Sequence, residues 1–408
     1  MNQKQNKNDS KRIVVTGIGA VTPYGLGCDI FFKNLSMGKS GISFVDKMNT
    51  SELETQKGGE IKWYNANEFF TKYQQKHMDI NSQYLILSTR EAIRTSNLSE
   101  DCSDKNISVC IGTLTAGLPF TEKYYMDAQN DKYSPILVSQ SYRSSATHNM
   151  ASYFNIYGPR YTITTACSAS MHTIGLGAEY IRNGMSDMSI VGGVDAFCGV
   201  TWGGFNSFKS MSSDEIRPFD KNRKGLLIGE GSGVMVLESL SSAKRRGVHI
   251  YGEIKGWGSS GDAYHITAPN MEGASAAMEA ALINAGMDKN DIDYIGAHGT
   301  ATHLNDVMET NAIKKVFGNR AGLIPISSIK SMIGHTMGAS GIHLALATLG
   351  MIQEGRVYPT INYETADEEC NLDYVPNVSR EHIIKNAMLD AFGFGGNNAV
   401  LVVSAYSA

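Results

Sequence analysis

Three side chains suited to nucleophilic and acid–base chemistry occupy the same kind of position in this chain. The first is Cys167, in Tyr161-Thr-Ile-Thr-Thr-Ala-Cys-Ser-Ala-Ser170. The β-branched run 161–165 predicts a strand, and the small and apolar residues from Ala169 (Met171, Ile174, Leu176, Ala178, Ile181) predict a helix. Cys167 then lies on the strand-to-helix turn, where the partial positive charge of a helix N-terminus favours a thiolate. The competing reading is a buried structural cysteine. Cys28, Cys102, Cys110, Cys198 and Cys370 lack this context and are read as structural.

The second is His298, in Ala297-His-Gly-Thr-Ala-Thr302, followed by Asn305, Asp306 and Glu309. An apolar strand leads into it and a glycine turn leaves it, which places an imidazole at the carboxyl end of a strand, where α/β sites collect. The third is His335, in Ser327-Ser-Ile-Lys-Ser-Met-Ile-Gly-His-Thr-Met-Gly-Ala339. Lys330 falls in the same connection, and a cation there can hold a carboxylate or depress neighbouring pKa values. Each histidine alone reads as a surface or satisfied core residue; one cysteine and two histidines on three strand–turn–helix junctions form a site. A fourth segment, Phe392-Gly-Phe-Gly-Gly-Asn-Asn398, is too rich in glycine for regular structure. It reads as a tight loop or as backbone approaching a substrate, with Phe394 as a movable aromatic. No dinucleotide fingerprint or Walker A pattern is found.

The elements that must carry these residues alternate. A strand running into a glycine turn is predicted at 12–18, and strands of the same kind at 107–112, 188–192 and 233–237, with helices at 82–94 and 169–182. From about residue 250 the pattern restarts: strands at 250–256, 294–297, 324–328 and 399–404, helices at 274–285 and 338–353. Alternation of this kind predicts an α/β fold with helices covering the sheets. Two similar halves hint at an internal duplication. The expected division is a flexible N-terminus at 1–11, a half at 12–250 carrying the nucleophile and a half at 251–408 carrying both histidines.

Bulk properties exclude several classes. The 408 residues allow a sizeable core, and 42% hydrophobic with 19% charged residues is ordinary for a globular chain. A net charge of −4 with no long basic tract gives no footprint for nucleic acid. The polar N-terminus lacks a signal sequence and no run of about 18 apolar residues is present, so no membrane span is expected. Six scattered cysteines without a CxxC pair argue against a metal cluster or a disulfide framework, and a reducing cytoplasm fits.

Thr165-Ala-Cys-Ser, Ala297-His-Gly-Thr, Lys330-Ser-Met-Ile-Gly-His and Gly393-Phe-Gly-Gly, in that order, resemble the β-ketoacyl-[acyl-carrier-protein] synthase II family. Val14-Val-Thr-Gly-Ile-Gly, Arg217-Pro-Phe-Asp220, Gly229-Glu-Gly-Ser-Gly233 and Asp262-Ala-Tyr-His265 extend the resemblance over about 12–404. It implies a thiolase-like fold, with two duplicated α/β halves in a five-layered αβαβα core, and usually a dimer. It implies that Cys167 takes an acyl group from a carrier-protein phosphopantetheine thioester. A malonyl thioester then loses carbon dioxide and its enolate attacks the acyl-cysteine.

By the same resemblance His298 and His335 stabilise the enolate, Lys330 supports them, and the N–H groups of Cys167 and Phe394 form an oxyanion hole, with Phe394 as gate. Thr300, Thr302, Asp306 and Glu309 are the supporting residues. No metal or bound cofactor is implied. The expected partner is an acidic acyl carrier protein, docking on cations such as Lys72, Lys76, Lys209 and Arg217; the subunit partner is a second copy or a chain-length-factor homologue. The chain departs from the family's pattern at Ala301, His303 and Asn397, and Leu344 replaces a glutamate, leaving Glu309 as the candidate partner of Lys330. A ketosynthase of a type II polyketide or aryl-polyene pathway is the alternative. A chain-length factor typically lacks the cysteine, and a biosynthetic thiolase carries a second one near its C-terminus; neither fits.

Overall fold

A computed structural model describes residue 9 and residues 11–407. The flexible N-terminus expected at 1–11 falls largely outside that set.

The main sheet contains β1 (Ile13–Thr22), β2 (Gly25–Leu26), β3 (Ile107–Gly112), β4 (Arg160–Ile163), β5 (Met188–Asp195) and β6 (Gly231–Ser239). It continues with β7 (Gly252–Gly261), β8 (Tyr294–Gly296), β9 (Ile326–Ser327), β10 (Asn386–Gly393) and β11 (Asn397–Ser404). Their order is β9-β8-β10-β11-β7-β1-β6-β5-β3-β4, with β2 on β1. Within the first half, β3 pairs parallel with β4 and β5, and β6 pairs antiparallel with β5 and β1. The second half repeats this: β8 is parallel to β9 and β10, and β11 is antiparallel to β10 and β7. The duplication hinted at in sequence is therefore explicit in topology. The two half-sheets meet through a short antiparallel pairing, Ile13 opposite Ile254 and Val15 opposite Gly252. A bidentate Arg12–Glu253 ion pair at 2.8 Å flanks this junction.

Six helices complete the layers: α1 (Ile80–Thr95), α2 (Ser145–Tyr153), α3 (Ala169–Arg182), α4 (Met271–Ala285), α5 (His303–Phe317) and α6 (Ser340–Glu354). α1 and α2 cover the first half-sheet on its outer side, and α4 and α5 cover the second. α3 and α6 touch each other and strands of both halves, forming the central layer of an αβαβα stack. Twelve of the fifteen residues of α6 are buried, as expected for a helix with apolar neighbours all round. Its Ile342, Leu346 and Leu349 share one core with Met171 and Ile174 of α3 and with Leu389 and Leu401 of the second half.

One local expectation changes. The glycines of Val14-Val-Thr-Gly-Ile-Gly are not a turn, for β1 runs straight through them to Thr22. They mark the crossing of α1 instead: a Cβ at Gly17 would lie 2.2 Å from the carbonyl oxygen of Ala92, and one at Gly19 2.0 Å from that of Ser88. Only glycine permits this approach of helix to strand.

Candidate active site

All four sequence motifs arrive at the carboxyl ends of strands or at a hairpin beside them. β4 leads to a single 3-10 turn, Ala166–Ser168, and then directly into α3. Ala166 has φ +50°, a sharp bend for a residue with a Cβ, and it projects Cys167 from the layer. The second half repeats this elbow at Met337–Ala339, where Met337 has φ +49° and Gly338 takes the place of the cysteine. The duplicated fold thus carries two such elbows, with a cysteine on the first and a glycine on the second. β3 passes beneath the first: a Cβ at Gly112 would lie 2.5 Å from the backbone nitrogen of Ser170.

Cys167 is 4% exposed. Burial pushes its pKa up to about 11, against the pull of the Lys330 ammonium and of the backbone N–H groups of Phe394 and Cys167. Burial thus works against the thiolate that the helix end favours.

His298 and His335 come together with ring centroids 5.5 Å apart and planes at 87°. Both are buried, and burial with the nearby Lys330 charge holds both well below the usual histidine pKa, so they are neutral. His335 Nδ1 accepts from the Met337 N–H at 3.2 Å, which leaves Nε2 to carry the proton. Its backbone is pinned to the first half: the His335 N–H donates to Leu227 O at 2.7 Å, and its carbonyl accepts from Gly229 at 2.9 Å. Nδ1 of His298 is buried without a hydrogen-bond partner.

Lys330, 3% exposed, donates its ammonium to the carbonyl oxygen of His298. Glu309 Oε1 accepts from the His298 N–H at 2.6 Å and Oε2 from the Gly299 N–H at 2.7 Å. Glu309 and Lys330 feel each other's charge, and desolvation raises the pKa of the carboxyl and lowers that of the ammonium. Among the described residues no acid lies within ion-pair distance of Lys330, so Glu309 acts on it through the His298 turn. Leu344 lies in the central core. Asp306 accepts from the Phe219 and Thr300 N–H groups at 2.7 and 3.1 Å, and the Thr300 and Thr302 hydroxyls bond each other at 2.9 Å.

Cys167, His298, His335, Thr300, Thr302 and Phe394 line one cavity of about 360 Å³, within the range of small-molecule sites. Lys209, Arg223, Lys224, His265 and His303 line it too, and among the described residues no acidic one does. His303 accepts from Arg223 Nη2 at 3.1 Å through Nδ1. Lys72 and Lys76 lie on a short exposed helix, Lys72–His77, and do not line the cavity. Arg217 is held by Glu215 at 2.9 Å and Glu364 at 3.0 Å, so its charge is already matched.

The sequence reading passed over Asp195. It is fully buried at the end of β5. Oδ1 accepts from the Thr113 and Thr115 hydroxyls and from the Leu114 and Thr115 N–H groups, at 2.7–2.9 Å. Oδ2 accepts from the Gly338 N–H at 2.6 Å. Burial still pushes this acid up to about 6. A signal was present: a carboxylate closing an otherwise apolar strand, the same place that marked His298. The ring partners of Phe394, Phe205 and Phe208, were also missed.

Residues 10–243 match the β-ketoacyl synthase N-terminal domain and residues 251–364 the β-ketoacyl synthase C-terminal domain. The 3-oxoacyl-[acyl-carrier-protein] synthase 2 of Staphylococcus aureus (strain COL) is 37% identical over 98% of this chain and 100% of its own. The ishigamide ketosynthase/chain length factor structure superposes with a TM-score of 0.92 at 33% identity, covering 97% of this chain and 99% of that one. A type II polyketide ketosynthase, solved with its acyl-carrier protein and bound to the hexaketide, gives 0.89 at 32% identity, covering 97% and 99%. The chain belongs to the β-ketoacyl synthase family.

Proposed function

We propose that this chain is a 3-oxoacyl-[acyl-carrier-protein] synthase, an acyltransferase that joins a malonyl unit to an acyl chain held on Cys167, giving a β-ketoacyl carrier thioester and carbon dioxide. The observation that carries the reading is the convergence of Cys167, two neutral histidines and two backbone N–H groups in one cavity. Cys167 sulfur attacks the thioester carbonyl of an acyl carrier, and the carrier thiol leaves with the proton. The N–H groups of Cys167 and Phe394 serve as the oxyanion hole, an effect of order 3 kcal/mol per donor in such sites.

In the second half-reaction the bond between the malonyl α-carbon and its carboxylate breaks. The electron pair moves onto the thioester as an enolate, whose oxygen accepts from His335 Nε2–H and from His298. Neutral imidazoles suit this task, because they stabilise the enolate without readily protonating it. The enolate carbon attacks the acyl-cysteine, and Cys167 departs as thiolate. Lys330 and Glu309 act through the His298 turn, Asp306 holds the Thr300 end of the same turn, and Thr300 and Thr302 line the route of the carrier's arm. No metal or bound cofactor enters these steps.

An acidic acyl carrier protein is the proposed partner. Lys209, together with Lys224, is the better docking cation because both border the cavity; Lys72 and Lys76 belong to a more distant contact, and Arg217 is paired. The β4 edge, where Tyr161 is 40% exposed and packs tilted against Tyr180 at 5.2 Å and 34°, supports subunit pairing by a second copy or a homologue. Among the described residues no helix is long and apolar enough to cross a membrane; a cytoplasmic location is part of the proposal.

A ketosynthase subunit of a type II polyketide or aryl-polyene pathway, with a chain-length-factor partner, is the second reading. The TM-score of 0.92 with the ishigamide ketosynthase/chain length factor favours it. Mass spectrometry of products on carrier protein, with malonyl extender and a panel of primers, tests both. Single elongation of saturated primers supports fatty-acid synthesis; polyene or poly-β-keto products support the second reading. No condensation with any primer contradicts both.

A further inference from the structure

A half-exposed phenylalanine at the cavity has no part in the steps above. Phe208 ends the helix Gly199–Ser207, and the next residue, Lys209, turns the chain sharply at φ +52°. The Phe208 side chain is 52% exposed, yet its ring packs T-shaped on Phe394, centroids 5.8 Å apart at 80°. Phe205, 7% exposed, takes the other contact with Phe394 at 5.9 Å and 36°. All three rings line the cavity that contains Cys167.

Phe394 is mounted to move. Gly393 precedes it, and Gly395 and Gly396 follow with φ +78° and +73°. The Gly395 N–H donates to Ile266 O at 2.8 Å, and Asn397 Nδ2 donates to Phe394 O at 3.0 Å. Phe394 and Cys167 line the same cavity, and the Phe394 N–H is the one proposed above for the oxyanion hole. Ring and N–H belong to one residue, so they move together, and that ring is held by a buried partner and a half-exposed one.

We propose that Phe208 is a positioning residue, the outer latch that holds the Phe394 ring over Cys167 until an apolar acyl chain replaces the ring-to-ring contact. This rests on the reading of Cys167 as the acyl acceptor. The latch lets a hydrophobic chain enter and disfavours small polar molecules, which gain nothing by displacing a ring.

The test is the rate of Cys167 alkylation by iodoacetamide in the ligand-free full chain, located by peptide mass mapping, with melting temperature as control. Losing one aromatic pair raises the open population about two- to tenfold. Phe208→Ala is expected to react faster by that factor with an unchanged melting temperature. Phe208→Tyr, which keeps the ring, is expected to react at the original rate. An unchanged rate in Phe208→Ala, or equal acceleration in Phe208→Tyr, would overturn the latch. Absence of Cys167 labelling in all three proteins would overturn the nucleophile itself, and the latch with it.

Discussion

Lys330 and Glu309 hold one residue from opposite ends: the ammonium donates to the carbonyl oxygen of His298, while the carboxylate accepts from its N–H at 2.6 Å and from that of Gly299 at 2.7 Å. His298 is therefore oriented through its backbone, and its ring faces His335 and Phe392. Hydrogen bonds to a charged group contribute about 1.5–3 kcal/mol each, enough to fix a turn. Glu309→Gln keeps the shape and removes the charge. It is expected to slow malonyl decarboxylation on the order of tenfold to a hundredfold while leaving acyl transfer to Cys167 largely intact. Carbon dioxide release and the acyl mass adduct, measured on the same preparation, separate the two.

Burial pushes the Cys167 thiol up to about 11. Below that value the thiolate fraction grows about tenfold per pH unit, so alkylation should accelerate by about that factor per unit from pH 7 to pH 9. A plateau near neutral pH would mean a preformed thiolate. Lys330→Met removes a charge that draws the thiol down, and slower alkylation at neutral pH is expected.

Asp195 ties the Thr113–Thr115 loop of one half to Gly338 of the other. Asp195→Leu takes the acceptor from the Thr113 hydroxyl and from the Leu114 and Gly338 N–H groups, while the Thr115 hydroxyl and N–H keep Asn81 Oδ1 and the Thr113 hydroxyl. An unsatisfied buried group costs about 1–3 kcal/mol, so a marked fall in the urea unfolding midpoint is expected. Asp195→Asn should fall less, since one oxygen still accepts.

Gly112→Ala tests the floor of the elbow. Its Cβ would lie 2.5 Å from Ser170 N and 2.7 Å from the Ala169 carbonyl carbon, both backbone of the helix that follows Cys167. Neither can yield as a side chain would. The variant should fold with lower stability and a displaced α3, seen as slower Cys167 acylation, or not fold at all; full stability with normal acylation would contradict the packing.

Local pattern made much of this legible. The β-branched run before Cys167 and the apolar spacing after it located β4 and placed α3 at 169–182. The alternation of elements located most strands and the restart near residue 250. What depends on distant partners was not legible. Gly17 and Gly19 read as a turn because nothing in their own segment announces that α1 crosses them. The short β1–β7 pairing that joins the halves involves residues some 240 apart in the chain. The upward pull of burial on the Cys167 thiol escaped because a helix end is visible in sequence whereas full burial is not. Phe208 escaped because its only distinguishing feature is the ring it meets.

The central claim is that Cys167 carries the acyl chain. Intact-mass and peptide mass spectrometry after incubation with an acyl carrier thioester tests it most directly. An acyl adduct is expected on the Cys167 peptide of the unaltered protein and none in Cys167→Ala. An adduct that persists in Cys167→Ala, or that maps to another residue, would contradict it.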